Sequence, residues 1–297
     1  MTTPELLAVG ETMAMVAPLS VDGLVDARVF RVDAGGAESN VAAHATALGV
    51  AAAWFSRLGD DALGRRVLRQ LGERGVDVSG VVVDAFHPTG MYVKDPGRGV
   101  VYYRSGSAAS RLSPEEVDAV PLDGVKILHV SGITAAISET ARAFLEQLIE
   151  RARSLGTTVS FDVNYRAALW EPAIAGPVLD SLARRCDIVF VGRDEAEGLW
   201  QTETAADVRA RFADVPELVV KDGAVGATAF TPGNETFETS EVVDVVDVVG
   251  AGDAFAGGYL SARLGGIPMP ARLRAAHRRA ALTLATTGDS VEEGNPA

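Results

Sequence analysis

The chain has 297 residues, 47% of them hydrophobic and 23% charged, a balance that suits one large α/β domain with a small appendage. Its 27 basic and 40 acidic side chains give a formal net charge of −13, which argues against broad nucleic-acid binding and requires any anionic ligand to be held by local arginines, backbone N–H groups, helix N-termini or cations. No apolar run reaches the roughly 18 residues of a membrane span, and a single cysteine, Cys186, excludes an intramolecular disulfide and a multi-cysteine metal site.

The N-terminal run MTTPELLAVGETMAMV has no basic segment and carries Glu5 and Glu11, so a cytoplasmic protein without a signal peptide is expected. LLAVG (6–10) is the first expected strand. Residues 12–33 read as a β-hairpin, and 37–48 as the first helix. A strand is expected at 51–59 (AAAWFSRLG), a helix at 61–74 and a strand at 80–84 (GVVVD). Residues 88–106 read as a second hairpin, with DPGRG as its turn signal. Further strands are expected at 125–132, 157–164, 187–192 and 217–223, with helices at 138–155, 173–184, 194–200 and 204–213. Ser138 followed by Glu139 is a helix-start signal. Cys186 reads as a small core residue at the start of a strand. The tail after Gly288 is expected to fray.

Strands that are apolar throughout, alternating with amphipathic helices, indicate a parallel sheet covered on both faces. The two hairpins, about 12–34 and 88–108, suggest a small β-lid over the C-terminal edge of that sheet, where ligands of open α/β sheets bind. Two hairpins without function are the plainer alternative.

The strongest motif is Asp247-Val248-Val249-Gly250-Ala251-Gly252-Asp253-Ala254-Phe255. Its glycines permit close approach to a ligand, and a helix starting there aims unpaired N–H groups at an anion. Asp253 would repel phosphate as a mere binding group. It suits a base that takes a hydroxyl proton while the N–H groups hold a transferred phosphoryl. A helix cap is its competing reading.

Gly35-Gly36-Ala37-Glu38-Ser39-Asn40 leads into small helical residues, and Asn40 suits either a sugar hydroxyl or a brace for the loop. Phe161-Asp162-Val163-Asn164-Tyr165-Arg166 spans a strand end. There Arg166 suits a carboxylate, a phosphate or a surface ion pair. In Tyr102-Tyr103-Arg104, alternation puts Tyr102 and Arg104 on one face, which fits a polar ligand with an anionic end as well as it fits a lone exposed arginine. Lys221-Asp222-Gly223-Ala224-Val225-Gly226 reads as a turn that borders a nucleotide or merely joins two strands. Glu195 reads as an orienter of metal-bound water or as a solvated helix charge. There is no Walker A run and no dinucleotide fingerprint after the first strand. The four histidines, at 44, 87, 129 and 277, have no metal spacing.

Taken in order, these motifs resemble the ribokinase-like (phosphofructokinase-B type) carbohydrate kinase family, from VGET (9–12) to TTGDS (286–290), with GGAESN and DVVGAGDAF as its paired signature. The resemblance implies a single kinase domain over 1–297, with a three-layer α/β/α core, a mostly parallel sheet and a β-lid. It implies ATP and Mg²⁺ as cofactors, Asp253 as base, and Gly250, Ala251 and Gly252 as the anion hole. Asn164, Lys221, Gly223, Gly226 and His277 would border the nucleotide. Glu195 stands at the acidic position of the family's Asn-x-x-Glu metal motif, but Gly192 replaces its Asn.

Within the family, VGETMAMVAP, GGAESNVA, TGMY, YYRSGSAAS, SGIT and DVNYRAALW resemble 2-keto-3-deoxygluconate kinases. That subgroup implies transfer of the γ-phosphoryl of ATP to a terminal hydroxyl of the sugar acid. Gly35, Gly36, Asn40, Tyr92, Tyr102, Arg104, Ile133 and Arg166 would line its site, and the two arginines would neutralise the carboxylate. A fructokinase, ribokinase or other neutral-sugar or nucleoside kinase is the alternative, and a non-catalytic ligand-binding protein on the same fold is a further one. The resemblance also implies a homodimer through the lid. Neither a nucleic-acid nor a membrane partner is expected.

Overall fold

The computed structural model describes residues 3–19, 23–95 and 97–286. The chain opens with β1 (Leu6–Val9), passes through β2 (Met13–Pro18) and β3 (Phe30–Gly35), and enters α1 (Ala37–Ala47). β4 (Ala52–Phe55), β5 (Arg57–Gly59), α2 (Ala62–Glu73) and β6 (Val82–Asp84) follow. The pair β7 (Met91–Asp95) and β8 (Gly99–Tyr103) precedes β9 (Ile127–Ser131), α3 (Gly132–Ile137), α4 (Glu139–Ser154) and β10 (Thr158–Asp162). Then come α5 (Pro172–Ala183), β11 (Ile188–Gly192), α6 (Arg193–Trp200), α7 (Ala205–Arg211) and β12 (Glu217–Asp222). β13 (Gly226–Thr231), β14 (Asn234–Thr239), α8 (Ala251–Leu264) and α9 (Met269–Leu284) close the described chain.

The central sheet has the order β14-β13-β12-β11-β10-β9-β1-β4. Its pairs from β12 to β4 are parallel, and β13 and β14 join antiparallel. Every residue of β1, β9 and β11 is buried, because helices cover both faces of these strands and each side chain meets apolar surface whichever way it points. Leu7, Val130 and Phe161 pack with Phe144 of α4 and Leu179 of α5 on one face. Leu6, Ile127 and Phe190 pack with Val41 of α1 and Leu260 of α8 on the other. This is the expected α/β/α arrangement. Among the described residues no helix is long and apolar enough to cross a membrane.

A second sheet, β3-β2-β7-β8, joins the two antiparallel hairpins through the parallel pair β2–β7. It grows from the C-terminal end of β1, since only three residues separate Val9 from Met13, and so it stands over the edge of the main sheet where the other strand ends gather.

Several expected elements are redrawn. The strand read at 51–59 breaks at Ser56. Residues 52–55 stay beside β1, whereas 57–59 leave to pair with β6 in a two-stranded sheet. Arg57 is the reason: it bonds Asp84 at 2.6 Å and Glu116 at 2.7 Å, and a charged pair of that kind has no place inside a strand covered on both faces. The strand read at 80–84 therefore lies outside the main sheet. Ser131 ends β9 and caps α3 by accepting from the Ile133 N–H at 3.2 Å, a helix the sequence reading lacks. β14 is also an addition. The Ser138 helix start is borne out, with Ser138 Oγ accepting from the Ala141 N–H at 3.0 Å. Cys186 is buried ahead of β11, and burial pushes its thiol well above the ordinary range, so it is an inert core group. The tail after Gly288 lies outside the described residues.

Candidate active site

Gly250 adopts φ 83°, a left-handed conformation that glycine takes without a Cβ penalty, and it turns the chain into α8. Gly250 is the N-cap and supplies no side-chain cap bond; Asp253 lies inside the first helical turn. The helix-cap reading of Asp253 is thereby excluded. Its carboxylate instead accepts a bond from Asn40 Nδ2 at 2.9 Å, from a residue 213 positions away. α1 and α8 come this close because α8 presents glycine to α1. A Cβ at Gly257 would lie 2.6 Å from His44 Cβ and 3.1 Å from Val41 O. Asp253 is 9% exposed. Burial pushes its carboxyl up to about 7, against the lowering pull of the Asn40 bond and of Arg166. A carboxylate poised near neutrality is suited to accept a proton from an alcohol in a transition state.

Three neighbouring strand ends supply the groups beside it. Asp162 ends β10, Gly192 ends β11 and Lys221 lies in register with Gly192 on β12. Lys221 Nζ donates to Asp162 Oδ2 at 2.8 Å, so its side chain spans β11. The Asp162 and Glu195 carboxylates hold this buried ammonium above its ordinary value, against the opposing effect of burial. Glu195 Oε2 accepts from the Gly192 N–H at 2.8 Å, and Oε1 lies 3.6 Å from Arg166. Burial raises the Glu195 carboxyl, and Lys221 opposes that rise. A Cβ at Gly192 would sit 2.6 Å from Asp194 Oδ1 and 3.2 Å from Glu195. These are side-chain atoms and Gly192 has ordinary extended backbone as the N-cap of α6, so the fold does not itself demand glycine there. Asn164 takes φ 41°, which asparagine tolerates better than most residues, and its N–H bonds Asp162 Oδ1 at 3.2 Å.

A cavity of about 850 Å³ opens between these strand ends and the second sheet. From the side of the sheet it is lined by Gly35, Tyr92, Tyr102 and Arg104; from the core, by Gly36, Asn40, Ile133, Asn164 and Arg166, with Glu195, Lys221, Gly223, Gly250, Gly252 and Asp253 at its inner end. Tyr92 lies against Gly35, where a Cβ would collide with its hydroxyl, and its ring centroid is 6.0 Å from that of Tyr102. Tyr103 points away and is 61% exposed, as alternation requires.

Arg104 differs from the expectation of a free cation. It forms an ion pair with Glu11, whose Oε1 also accepts from Ser107 Oγ at 2.6 Å. Glu11 lines the same cavity and is 2% exposed. Sequence reasoning missed Glu11 and gave Asp162 no role, because an acidic residue is an unpromising sign in a pocket sought for anions. Arg166 is the more available cation, with its side chain 48% exposed.

A second cavity of about 510 Å³ meets the first at the start of α8. Lys221, Gly223, Val248 and Gly252 line both. Gly226, Ala251 and His277 line the second only, together with Val243, Phe255 and Leu284. Its apolar wall suits a flat ring. His277 packs edge-on against Phe255 with centroids 5.1 Å apart, and its Nε2 is 3.2 Å from Glu238 O. The Ala251 N–H points toward Val248 O at 3.4 Å, so within the Gly-Ala-Gly run it is partly occupied rather than wholly open to an anion.

Among the described residues no three His, Cys, Asp or Glu side chains form a self-sufficient metal site. Asp162 and Glu195 do present carboxylate oxygens beside the junction of the cavities. That donor set fits Mg²⁺, which binds through one or two carboxylates together with the phosphates of its nucleotide.

The pfkB family carbohydrate kinase pattern matches residues 3–294. The chain is 34% identical to a 2-dehydro-3-deoxygalactonokinase of Haloferax volcanii over 97% of its own length and 93% of the relative's. It is 33% identical to a 2-dehydro-3-deoxygluconokinase of Thermoproteus tenax, over 96% and 90%. The crystal structure of 2-dehydro-3-deoxygluconokinase from Thermotoga maritima superposes with a TM-score of 0.89 at 26% identity, covering 98% of this chain and 95% of that one.

Proposed function

Because the chain belongs to the pfkB family of carbohydrate kinases, we propose that it transfers the γ-phosphoryl of ATP to a terminal hydroxyl of a 2-keto-3-deoxy sugar acid, 2-keto-3-deoxygluconate first of all. The observation that carries this reading is the position of Asp253 at the inner end of the cavity that holds the two arginines, directly after Gly252, which lines both that cavity and the apolar-walled one. Both relatives named above carry the same acid skeleton in their names, as the glucono and galactono forms.

In this reading the sugar acid lies under the second sheet with its carboxylate at Arg166. Arg104, already balanced by Glu11, donates its remaining N–H groups without bringing a full uncompensated charge. Tyr92 and Tyr102 exclude water from that end. The terminal hydroxyl points at Asp253. As its oxygen bonds to the γ-phosphorus, the bond to the bridging oxygen of ADP breaks and the hydroxyl proton passes to Asp253. Asn40 fixes the carboxylate during that transfer. The first N–H groups of α8, with Lys221, face the phosphoryl oxygens, so positioning and electrostatics supply most of the rate. Asn164, Lys221, Gly223, Gly226 and His277 border the nucleotide. Mg²⁺, when bound with Asp162 and Glu195 nearby, would neutralise phosphate charge.

A panel of 2-keto-3-deoxygluconate, its galactonate epimer, fructose, ribose and nucleosides, read by ADP formation, tests the proposal. A kcat/KM for a keto acid well above that for any neutral sugar is expected. A neutral sugar turned over as well or better would reassign the acceptor. Sugar binding without any turnover would mark a non-catalytic binding protein.

A further inference from the structure

Among the described residues, a charged contact ties the second sheet to the turn that precedes α8. Lys94, on β7 near the tip of its hairpin, places Nζ 2.8 Å from Asp247 Oδ2 across 153 residues of chain. The two side chains are only 12% and 23% exposed, so this is not one of the solvated surface pairs whose worth is close to nothing. Asp247 is itself braced. Its other oxygen accepts from the Val249 N–H at 3.0 Å, and the preceding Val246 N–H bonds Leu284 O of α9 at 2.8 Å. One carboxylate therefore holds both the hairpin and the turn that ends at Gly250.

The two partners also wall the same space. Tyr92, Val100 and Tyr102 cover the larger cavity from the hairpin, and Val248, Val249 and Gly250 line it from the turn. Next to Lys94, Asp95 Oδ1 accepts from the Leu24 N–H of the neighbouring hairpin at 3.0 Å, which links the two hairpins. Any movement that lifts the sheet to admit a sugar must draw Lys94 from Asp247. The Val249–Gly250 turn then loses the charge that balances its brace.

We propose that Lys94 is a positioning residue, a latch through which closure of the sheet over the sugar also sets the turn that presents the α8 N–H groups to the phosphoryl. This rests on the kinase reading given above. Its chemical consequence is discrimination between acceptors. With the latch shut, water is excluded and the sugar hydroxyl is the only nucleophile aligned. With it broken, the turn and the lid no longer order together, and phosphoryl is lost to water.

The test uses the full chain with Lys94→Met, Lys94→Gln and Lys94→Arg, the second truncation serving if the first does not fold. ADP and sugar phosphate are measured together, and backbone hydrogen exchange is followed over 91–103 and 247–253. Both truncations are expected to lower kcat/KM for the sugar by roughly ten- to a hundredfold, the scale of a small misplacement of reacting groups. They should raise ADP formed per sugar phosphate above the wild-type ratio and speed exchange in both segments, and Lys94→Arg should restore all three. Folded truncations with a wild-type ratio, or faster exchange in 91–103 with 247–253 unchanged, would overturn the latch. If wild type itself phosphorylates no sugar, the kinase reading fails instead, and the coupled exchange still decides whether the two segments are linked.

Discussion

Asp253 carries the sharpest predictions at the scale of single residues. Asp253→Asn keeps an oxygen for Asn40 but cannot take a proton, so kcat is expected to fall by roughly 10²–10⁴ with little change in sugar binding; steady-state kinetics check this. Since the folded carboxyl titrates at about 7 and must be ionised to act, kcat/KM should rise with pH through that value and level off above it, a limb absent from the variant. The same shift has a cost in stability. Its folded pKa is raised above the ordinary carboxylate value, so from about pH 4 to about pH 7 the native state keeps a proton that the unfolded chain releases, and stability falls as pH rises through that window. Asp253→Asn escapes this and should melt higher than wild type at about pH 8, with the gain vanishing below about pH 4. The two arginines should separate. Arg166→Ala is expected to raise KM for a keto acid while leaving the melting temperature nearly unchanged, because its side chain is half exposed. Arg104→Ala should do the same and also lose roughly 3 kcal/mol of stability, because it leaves Glu11 buried without its partner; denaturant titration reads the difference.

Among the elements, the approach of α1 to α8 decides whether Asn40 reaches Asp253. Gly257→Ala would force its Cβ against His44 and Val41, costing about 1–3 kcal/mol as overpacking. It should lower kcat through the lengthened Asn40–Asp253 bond. Gly72→Ala in α2, where a Cβ meets nothing within 4 Å, is the contrast: kcat unchanged and stability raised by up to about 1 kcal/mol, the helix preference of alanine over glycine. Thermal melts and turnover on the two variants check both outcomes. Most elements are legible in the sequence, because apolar runs and the Ser138 cap are local signals. The break at Ser56 is not. AAAWFSRLG has the composition of one strand, and only the ion pairs of Arg57 with Asp84 and Glu116 show why its second half leaves the sheet.

At the scale of the whole molecule, a net charge of −13 repels a sugar acid and a nucleotide alike until they reach the local cations. KM for a keto acid at saturating ATP is therefore expected to fall as salt rises from about 10 mM to about 150 mM, where screening shortens the reach of that field; fructose assayed in the same way should show no comparable change. What the sequence determined by itself is the layered α/β fold, the family, and the short motifs around Asp253, Asn40, Arg166 and Lys221, since strand periodicity and glycine turns act over a few residues. What only the tertiary structure decided is how those motifs are wired: Asn40 on Asp253, Lys221 across β11 to Asp162, Arg104 already balanced by Glu11, and Lys94 on Asp247. Each of these pairs joins residues more than 50 positions apart. Their meeting depends on strand order and helix packing, which no local stretch of chain encodes.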